Sequence, residues 1–138
     1  MKRYKIGYTT GVFDLFHVGH LNILRKAKEQ CDFLIVGVST DELVEEYKAK
    51  RPVIPYEERK EIVAGMKYVD QVIPQHNRDK MAAWDFLLFN VMFVGDDWKG
   101  DPLFTALEKE FQQVGVDIIY FPYTKGVSSS LMKEKIKL

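Results

Sequence analysis

Two histidines three positions apart are the side chains most suggestive of chemistry in this sequence. His17 and His20 lie in the stretch GVFDLFHVGH, residues 11–20. Side chains at this spacing meet on one face of a helical turn. Imidazole N–H groups aimed at a phosphate would stabilise the charge that develops during phosphoryl-type transfer. The spacing alone also allows two other interpretations, a pair of satisfied turn histidines or half of a metal site.

The elements around this stretch place it at a strand-to-helix junction. Residues 4–9 mix β-branched, aromatic and small side chains, as in a short buried strand. Apolar residues then recur at helical spacing, at Leu21, Ile23, Leu24 and Ala27. Backbone N–H groups and the helix dipole hold anions at such a strand-to-helix junction, and Gly11 permits a sharp turn or a close approach to a ligand. Such a junction can hold an anion, and the turn-histidine and metal-site interpretations stay open at this point.

The bulk properties predict one globular domain, residues 1–138. The chain has 46% hydrophobic residues and 29% charged residues, which is close to the globular average. Twenty basic and twenty acidic side chains give a formal net charge of zero, so no overall field draws the protein to nucleic acid or to a membrane. We expect neither as a partner, and a small anion would need a local cluster of cations.

The single cysteine and the N-terminal residues predict a cytoplasmic location. Cys31 has no partner in the chain for a disulfide, and its place between a helix and a strand favours a buried structural thiol. No apolar run is long enough for a signal peptide or a membrane span.

Strands alternate with helices along the whole chain, which predicts an α/β fold with a Rossmann-like, doubly wound, five-stranded parallel sheet. The predicted strands are residues 4–9, 32–39, 69–74, 91–94 and 117–122. Six helices are predicted. The first follows residue 18, the second and third begin near residues 40 and 55, the fourth and fifth cover residues 79–90 and 102–113, and the last begins near residue 128. We expect the crevice between the first and fourth strands to gather His17, His20, Asp97 and the serines of the last loop.

Several other polar residues each allow a structural and a functional interpretation. Lys48 and Lys50 lie in a basic loop before Pro52, where cations are often only solvated. Arg59, on the third predicted helix, is either a surface charge or a phosphate clamp. Asp97 ends an apolar strand, where aspartates commonly cap turns or bind ligands. The serine run 128–130 is either a helix cap or a phosphate cradle.

Four blocks of the sequence resemble, in order, the motifs of the cytidylyltransferase family, a branch of the H-x-G-H nucleotidyltransferase superfamily. They are the H-x-G-H stretch, the segment around Arg59 that continues to YVDQVIP, the block GDDWKG and the block TKGVSSS near the end. Together they cover nearly the whole chain. The sequence contains neither a G-x-G-x-x-G motif nor a Walker A motif.

The resemblance implies transfer of CMP from CTP to a phosphorylated small alcohol, with glycerol 3-phosphate as the expected acceptor and pyrophosphate as the second product. Such a reaction belongs to the synthesis of cell-envelope polymers. It needs positioning and charge neutralisation rather than a protein nucleophile. The resemblance also implies Mg²⁺ bound with CTP, no dedicated protein metal ligands, and a homodimer.

Family motifs assign roles to individual residues of this chain. The catalytic residues are His17, His20, Lys50 and Arg59, and Lys48 and Lys80 bind the acceptor. The nucleotide-binding residues are Gly11, Val12, Phe13, Asp14, His17, His20, Lys50, Asp97, Tyr123, Thr124, Lys125, Gly126, Val127, Ser128, Ser129 and Ser130.

The chain departs from the family pattern at two positions. Tyr123 and Lys67 stand where arginine is common. We expect Lys125 to supply the cation that Tyr123 lacks, although a lysine offers a point charge instead of a planar fork. The departures leave the acceptor open.

Three other functions remain compatible with the motifs. Related H-x-G-H enzymes use ATP, so an adenylyltransferase is one alternative. A cytidylyltransferase for phosphoethanolamine or phosphocholine is another. The third is a nucleotide-binding module without catalysis, which would bind CTP and release no pyrophosphate.

Overall fold

The computed structural model describes residues 3–122 and confirms the predicted doubly wound, all-parallel, five-stranded sheet. The strands occur in the spatial order β3-β2-β1-β4-β5. They are β1 (Tyr4–Gly11), β2 (Cys31–Ser39), β3 (Gln71–Gln75), β4 (Val91–Gly95) and β5 (Asp117–Phe121). The predicted last loop and helix lie outside the described residues.

Five helices and one 3₁₀ turn connect the strands. They are α1 (Val18–Gln30), α2 (Asp41–Lys48), α3 (Tyr56–Ala64), α4 (Lys80–Leu87), the 3₁₀ turn (Asp96–Trp98) and α5 (Pro102–Gln113). Side chains fix several helix starts, since Thr40, Asp79 and Asp101 each accept a hydrogen bond from a backbone N–H of the first turn. These caps set where each connection leaves the sheet.

Each face of the sheet has its own apolar core. Leu24 and Ala27 of α1 and Val63 of α3 pack on one face, where Cys31 is fully buried. On the other face lie α4 and α5, and Phe111 of α5 is fully buried there. Helices cover both faces, which explains why the central strands are near-continuous apolar runs.

Of the element bounds that differ from the sequence prediction, the start of β3 and the end of α4 have a structural explanation. β3 begins at Gln71 instead of residue 69, since the Asp70 carboxylate accepts hydrogen bonds from Leu34 N and Lys28 Nζ, both at 2.7 Å. α4 ends at Leu87 instead of residue 90, because Leu88 takes a left-handed conformation (φ 55°). The chain then turns Phe89, 1% exposed, into the core.

The sheet order places the topological switch point between β1 and β4. β1 pairs in parallel with β2 on one side and with β4 on the other. The connections after these two strands run to opposite faces, which opens a crevice at their carboxyl ends. Within residues 3–122, no helix combines the length and the apolar composition that crossing a membrane requires.

Candidate active site

The two histidines cap the helix that begins the site. His17 is the N-cap residue of α1, and its Nδ1 accepts a hydrogen bond from Gly19 N at 3.0 Å. His20, in the first helical turn, accepts a hydrogen bond from His17 N at Nδ1, at 3.1 Å. This reciprocal arrangement is a capping box in which both side chains are imidazoles. The rings stack with their centroids 3.9 Å apart.

The caps also decide which nitrogen carries the proton. A ring nitrogen that accepts a backbone hydrogen bond is unprotonated, so the neutral form of each histidine carries its proton on Nε2. Burial lowers the pKa of His17. Burial, together with the neighbouring His17, lowers the pKa of His20 to about 4. Near pH 7 the pair therefore offers neutral N–H donors at the start of α1.

The loop between β1 and α1 has an unusual backbone that other segments hold in place. Phe13 and Leu15 have positive φ values of 55° and 49°. A non-glycine residue in this region costs about 1–2 kcal/mol. The Asp14 carboxylate accepts hydrogen bonds from Val53 N at 2.8 Å and Ile54 N at 2.9 Å, and so ties the loop to the segment before α3.

Gly11 is required by the packing of this loop. A Cβ at Gly11 would lie 2.9 Å from Phe13 Cε2, closer than side-chain carbons approach. Phe13 is itself 7% exposed and belongs to the core beneath α1. The glycine lets the loop fold back over the buried ring.

Arg59 lies beneath the loop and is 0% exposed. This burial contradicts the interpretation as a surface charge, and the role as a phosphate clamp stays a prediction. Its guanidinium donates to Val12 O at 2.7 Å, to Ser39 O at 2.8 Å and, through Nε, to Ile54 O at 2.8 Å. It also pairs with Asp41 Oδ1 at 2.7 Å. Because these bonds use four of the five donors, Arg59 is placed to hold the loop.

A cleft of about 850 Å³ opens at the carboxyl ends of β1 and β4. Its lining includes many of the predicted site residues, namely Gly11, Val12, Phe13, Asp14, His20, Lys48, Lys50, Lys80 and Asp97. His17 joins them through its stacked contact with His20. Lys48 and Lys50 are exposed, at and just beyond the end of α2. Of the predicted residues that lie within residues 3–122, the structure therefore gathers nearly all around one cleft.

Lys80 lies deeper in the cleft than the other two lysines. Its Nζ is 3.4 Å from Thr10 Oγ1, at the end of β1. Burial, together with the positive charge of Arg78, lowers the pKa of Lys80 to about 8. The ammonium is still protonated at pH 7, where a bound phosphate would compensate for its lost hydration.

Mg²⁺ fits this site as an ion carried by a nucleotide. Among residues 3–122, no three His, Cys, Asp or Glu side chains are grouped closely enough to hold a metal ion. The Asp14 carboxylate is engaged by two backbone N–H groups, whereas Asp97 is exposed at the rim of the cleft. Mg²⁺ commonly keeps waters and substrate phosphates as most of its ligands, so one rim carboxylate suffices.

Sequence reasoning missed one cation in the cleft. Arg78 precedes α4, and its Cζ lies over the rings of Tyr47 and Trp98, 4.8 Å and 6.0 Å from their centroids. All three residues line the cleft. The available signal was the alternation of Arg78 and Lys80 at the carboxyl side of a predicted strand.

Other predicted residues lie elsewhere. The nucleotide-binding stretch Tyr123–Ser130, which includes Lys125, is outside the described residues. Lys67 is exposed, with Nζ 5.2 Å from the ring centroid of Tyr68, and is absent from the cleft lining.

Curated relatives share most of this chain. The sequence is 38% identical over 130 residues to the glycerol-3-phosphate cytidylyltransferase of Bacillus subtilis (strain 168), which covers 93% of this chain and 94% of that protein. It is 35% identical over 132 residues to the glycerol-3-phosphate cytidylyltransferase of Staphylococcus aureus (strain NCTC 8325 / PS 47), with 93% and 92% covered.

Solved structures have the same fold. A lipopolysaccharide core biosynthesis protein from Thermoplasma volcanium GSS1 superposes with a TM-score of 0.72 at 26% identity, covering 90% of this chain and 99% of that one. Pantoate-beta-alanine ligase from Francisella tularensis, at 17% identity, shares the fold with a TM-score of 0.62, covering 99% of this chain and 70% of that one. The sequence model of the family described as Cytidylyltransferase-like matches residues 8–135. The chain therefore belongs to the cytidylyltransferase-like family.

Proposed function

We propose that this protein transfers CMP from CTP to glycerol 3-phosphate, giving CDP-glycerol and pyrophosphate. The observation that carries the proposal is the neutral pair His17 and His20 at the start of α1, beside a cleft with several cations. The glycerol-3-phosphate cytidylyltransferases that match over more than nine-tenths of the chain support the choice of both substrates.

The reaction forms one phosphorus–oxygen bond and breaks another. A phosphate oxygen of glycerol 3-phosphate attacks the α-phosphorus of CTP, and the bond to the β-phosphate breaks with its electron pair leaving on pyrophosphate. Negative charge grows on the oxygens around the α-phosphorus and on the leaving group. The Nε2–H groups of His17 and His20 donate to these oxygens and stabilise that charge.

The lysines allow two anions to approach each other. Lys50 and Lys48, on the exposed side of the cleft, bind CTP and the acceptor, and Lys80 binds the acceptor phosphate from below. Their positive charges offset the repulsion between a triphosphate and a phosphate monoester. Arg59 contributes through the loop it holds, which keeps the backbone of residues 11–14 in place for the nucleotide.

Three further parts of the proposal concern conditions and assembly. Mg²⁺, bound with CTP, would screen the triphosphate charge. A homodimer is expected, and sedimentation at micromolar concentration tests it, since a monomer would contradict it. The predicted cytoplasmic location suits the substrates.

The test is a comparison of nucleotides and acceptors with purified protein and Mg²⁺. Pyrophosphate release and CDP-glycerol formation are measured with CTP or ATP and with glycerol 3-phosphate. We expect turnover with CTP and much less with ATP. Preferred use of ATP would favour the adenylyltransferase, and CTP binding without pyrophosphate release under any acceptor would favour the non-catalytic module. Either result would overturn the proposal.

A further inference from the structure

Two aromatic rings that line the cleft, those of Tyr47 and Trp98, both have the guanidinium of Arg78 over them. Tyr47 lies in the last turn of α2, which follows β2, and Trp98 lies in the 3₁₀ turn that follows β4. Arg78 comes from the segment after β3, and its Cζ lies 4.8 Å from the Tyr47 centroid and 6.0 Å from the Trp98 centroid. The arginine therefore contacts rings from elements that follow two different strands.

Paired aromatic faces of this kind attract cations. The electron-rich faces of tryptophan and tyrosine bind guanidinium groups and quaternary ammonium groups by the same interaction. In this protein the guanidinium of Arg78 takes the place that an ammonium ligand would use. Lys48 Nζ lies 5.8 Å from the same Tyr47 ring, which adds a second positive charge there.

The wall around Arg78 carries a positive excess. Within residues 3–122, no carboxylate lies within ion-pair distance of Arg78 or Lys80. The nearest in sequence, Asp79, accepts a hydrogen bond from Ala82 N as the cap of α4. Asp97 and Glu110 also line the cleft and are exposed to solvent. The two cations Arg78 and Lys80 therefore both line the cleft.

We propose that Arg78 determines acceptor specificity by filling the Tyr47–Trp98 pair, so that the cleft accepts an uncharged polyol phosphate and rejects phosphocholine and phosphoethanolamine. The inference rests on the proposed function. A polyol phosphate carries charge only on its phosphate group, which meets Arg78 and Lys80, and its uncharged hydroxyls meet no repulsion. A cationic head group meets like charge and finds both rings occupied.

The experiment measures kcat/KM for the three acceptors with saturating CTP in the unaltered protein, Arg78→Ala, Arg78→Lys and Arg3→Ala. Arg3 is the matched control, because its Cζ also lies over a tyrosine ring, 5.3 Å from the Tyr4 centroid, at the opposite end of β1. Circular dichroism checks that each variant is folded.

In Arg78→Ala we expect kcat/KM for glycerol 3-phosphate to fall by about tenfold and the preference for it over phosphocholine to narrow by about tenfold or more. Arg78→Lys should weaken the glycerol 3-phosphate reaction while keeping most of the rejection, since the charge remains. Arg3→Ala should change neither quantity.

An unchanged preference in folded Arg78→Ala would overturn the inference alone. Equal use of phosphocholine and glycerol 3-phosphate by the unaltered protein would also overturn it. Absence of transfer to all three acceptors, with CTP still bound in a calorimetric titration, would refute the proposed function and this inference with it.

Discussion

His17 and His20 cap the same helical turn reciprocally, each through its Nδ1, with their ring centroids 3.9 Å apart. One side of each imidazole is thus structural, because it satisfies a backbone N–H that the helix start would leave unpaired. The other side remains available for chemistry. Because capping uses Nδ1 and chemistry would use Nε2, a substitution can remove one role and keep the other.

His17→Asn should separate the cap from the chemistry. Asparagine is among the best N-cap residues and can accept the bond from Gly19 N, whereas alanine leaves it unmade at a cost of about 1 kcal/mol. We expect His17→Asn to keep nearly all of the free energy of unfolding and His17→Ala to lose about 1 kcal/mol. Both should lower kcat by roughly a hundredfold or more, by analogy with the loss of an oxyanion donor. Urea unfolding and steady-state kinetics check the two effects, and full turnover in His17→Asn would contradict the role of Nε2.

The low pKa of His20 predicts a loss of stability in mild acid. Burial lowers it from 6.5 to about 4, so above pH 6.5 the ring is neutral in both folded and unfolded chains. Below pH 6.5 the unfolded chain takes up a proton that the folded chain refuses, and the free energy of unfolding falls. His20→Gln keeps an acceptor for the cap without titrating. Between pH 7.5 and 4.5 the unaltered protein should lose about 2 kcal/mol more than His20→Gln in urea unfolding. Parallel pH profiles would show that His20 is not responsible.

The acceptor should bind less well above pH 8. Lys80 has its pKa lowered to about 8 by burial and by Arg78, so it loses its charge near that pH in the free protein. We expect kcat/KM for glycerol 3-phosphate to fall as pH rises through 8 at saturating CTP. In Lys80→Arg the fall should move to higher pH, because arginine stays charged. An identical alkaline limb in the two proteins would assign the titration to another group.

Arg59→Lys should destabilise the protein strongly although the charge is kept. A lysine cannot reach three carbonyls and Asp41 in the planar arrangement that Arg59 uses. We expect a loss of about 2–4 kcal/mol in the free energy of unfolding.

Arg51→Lys is the matched control for this substitution. Arg51 also pairs with acidic residues of α2, with its Nε 2.7 Å from Glu45 Oε2, but its side chain is 54% exposed. Its loss should stay within about 0.5 kcal/mol. Equal losses in the two variants would show that burial of Arg59 does not matter.

Leu88→Gly should stabilise the protein. Leu88 ends α4 in the left-handed region, with φ 55°, and its side chain is 59% exposed. Glycine adopts this conformation without strain, so the free energy of unfolding should rise by about 0.5–1 kcal/mol. Thermal unfolding measures the change. A lower free energy of unfolding would mean that the leucine side chain makes contacts that outweigh the backbone strain.

Element bounds could be predicted from the sequence where a strong local pattern marks them. The apolar run of β4 and the stretch from Pro102 to Gln113 were predicted to within a residue, since a buried run and a proline-led helix signal their own limits. The start of β3 was misplaced because Asp70 binds Leu34 N on a neighbouring strand. Local composition does not encode such a distant partner.

In the candidate site, too, local patterns were predictable from the sequence and long-range contacts were not. The H-x-G-H spacing located the capped helix start, and the strand order brought Asp97 and the lysines to the same cleft. The direction of Arg59 was not predictable, since its burial depends on carbonyls from three separate segments. Arg78 belongs to no motif, and only the tertiary structure brings two aromatic rings to it.

The network of Arg59 also has a consequence for the order of folding. Val12 and Arg59 are 47 residues apart in the chain, yet their bond helps to hold the backbone of the nucleotide loop. The loop between β1 and α1 needs this long-range contact, so we expect it to reach its final form only after α3 has docked. We therefore expect catalytic competence to return in refolding no earlier than the docking of α3.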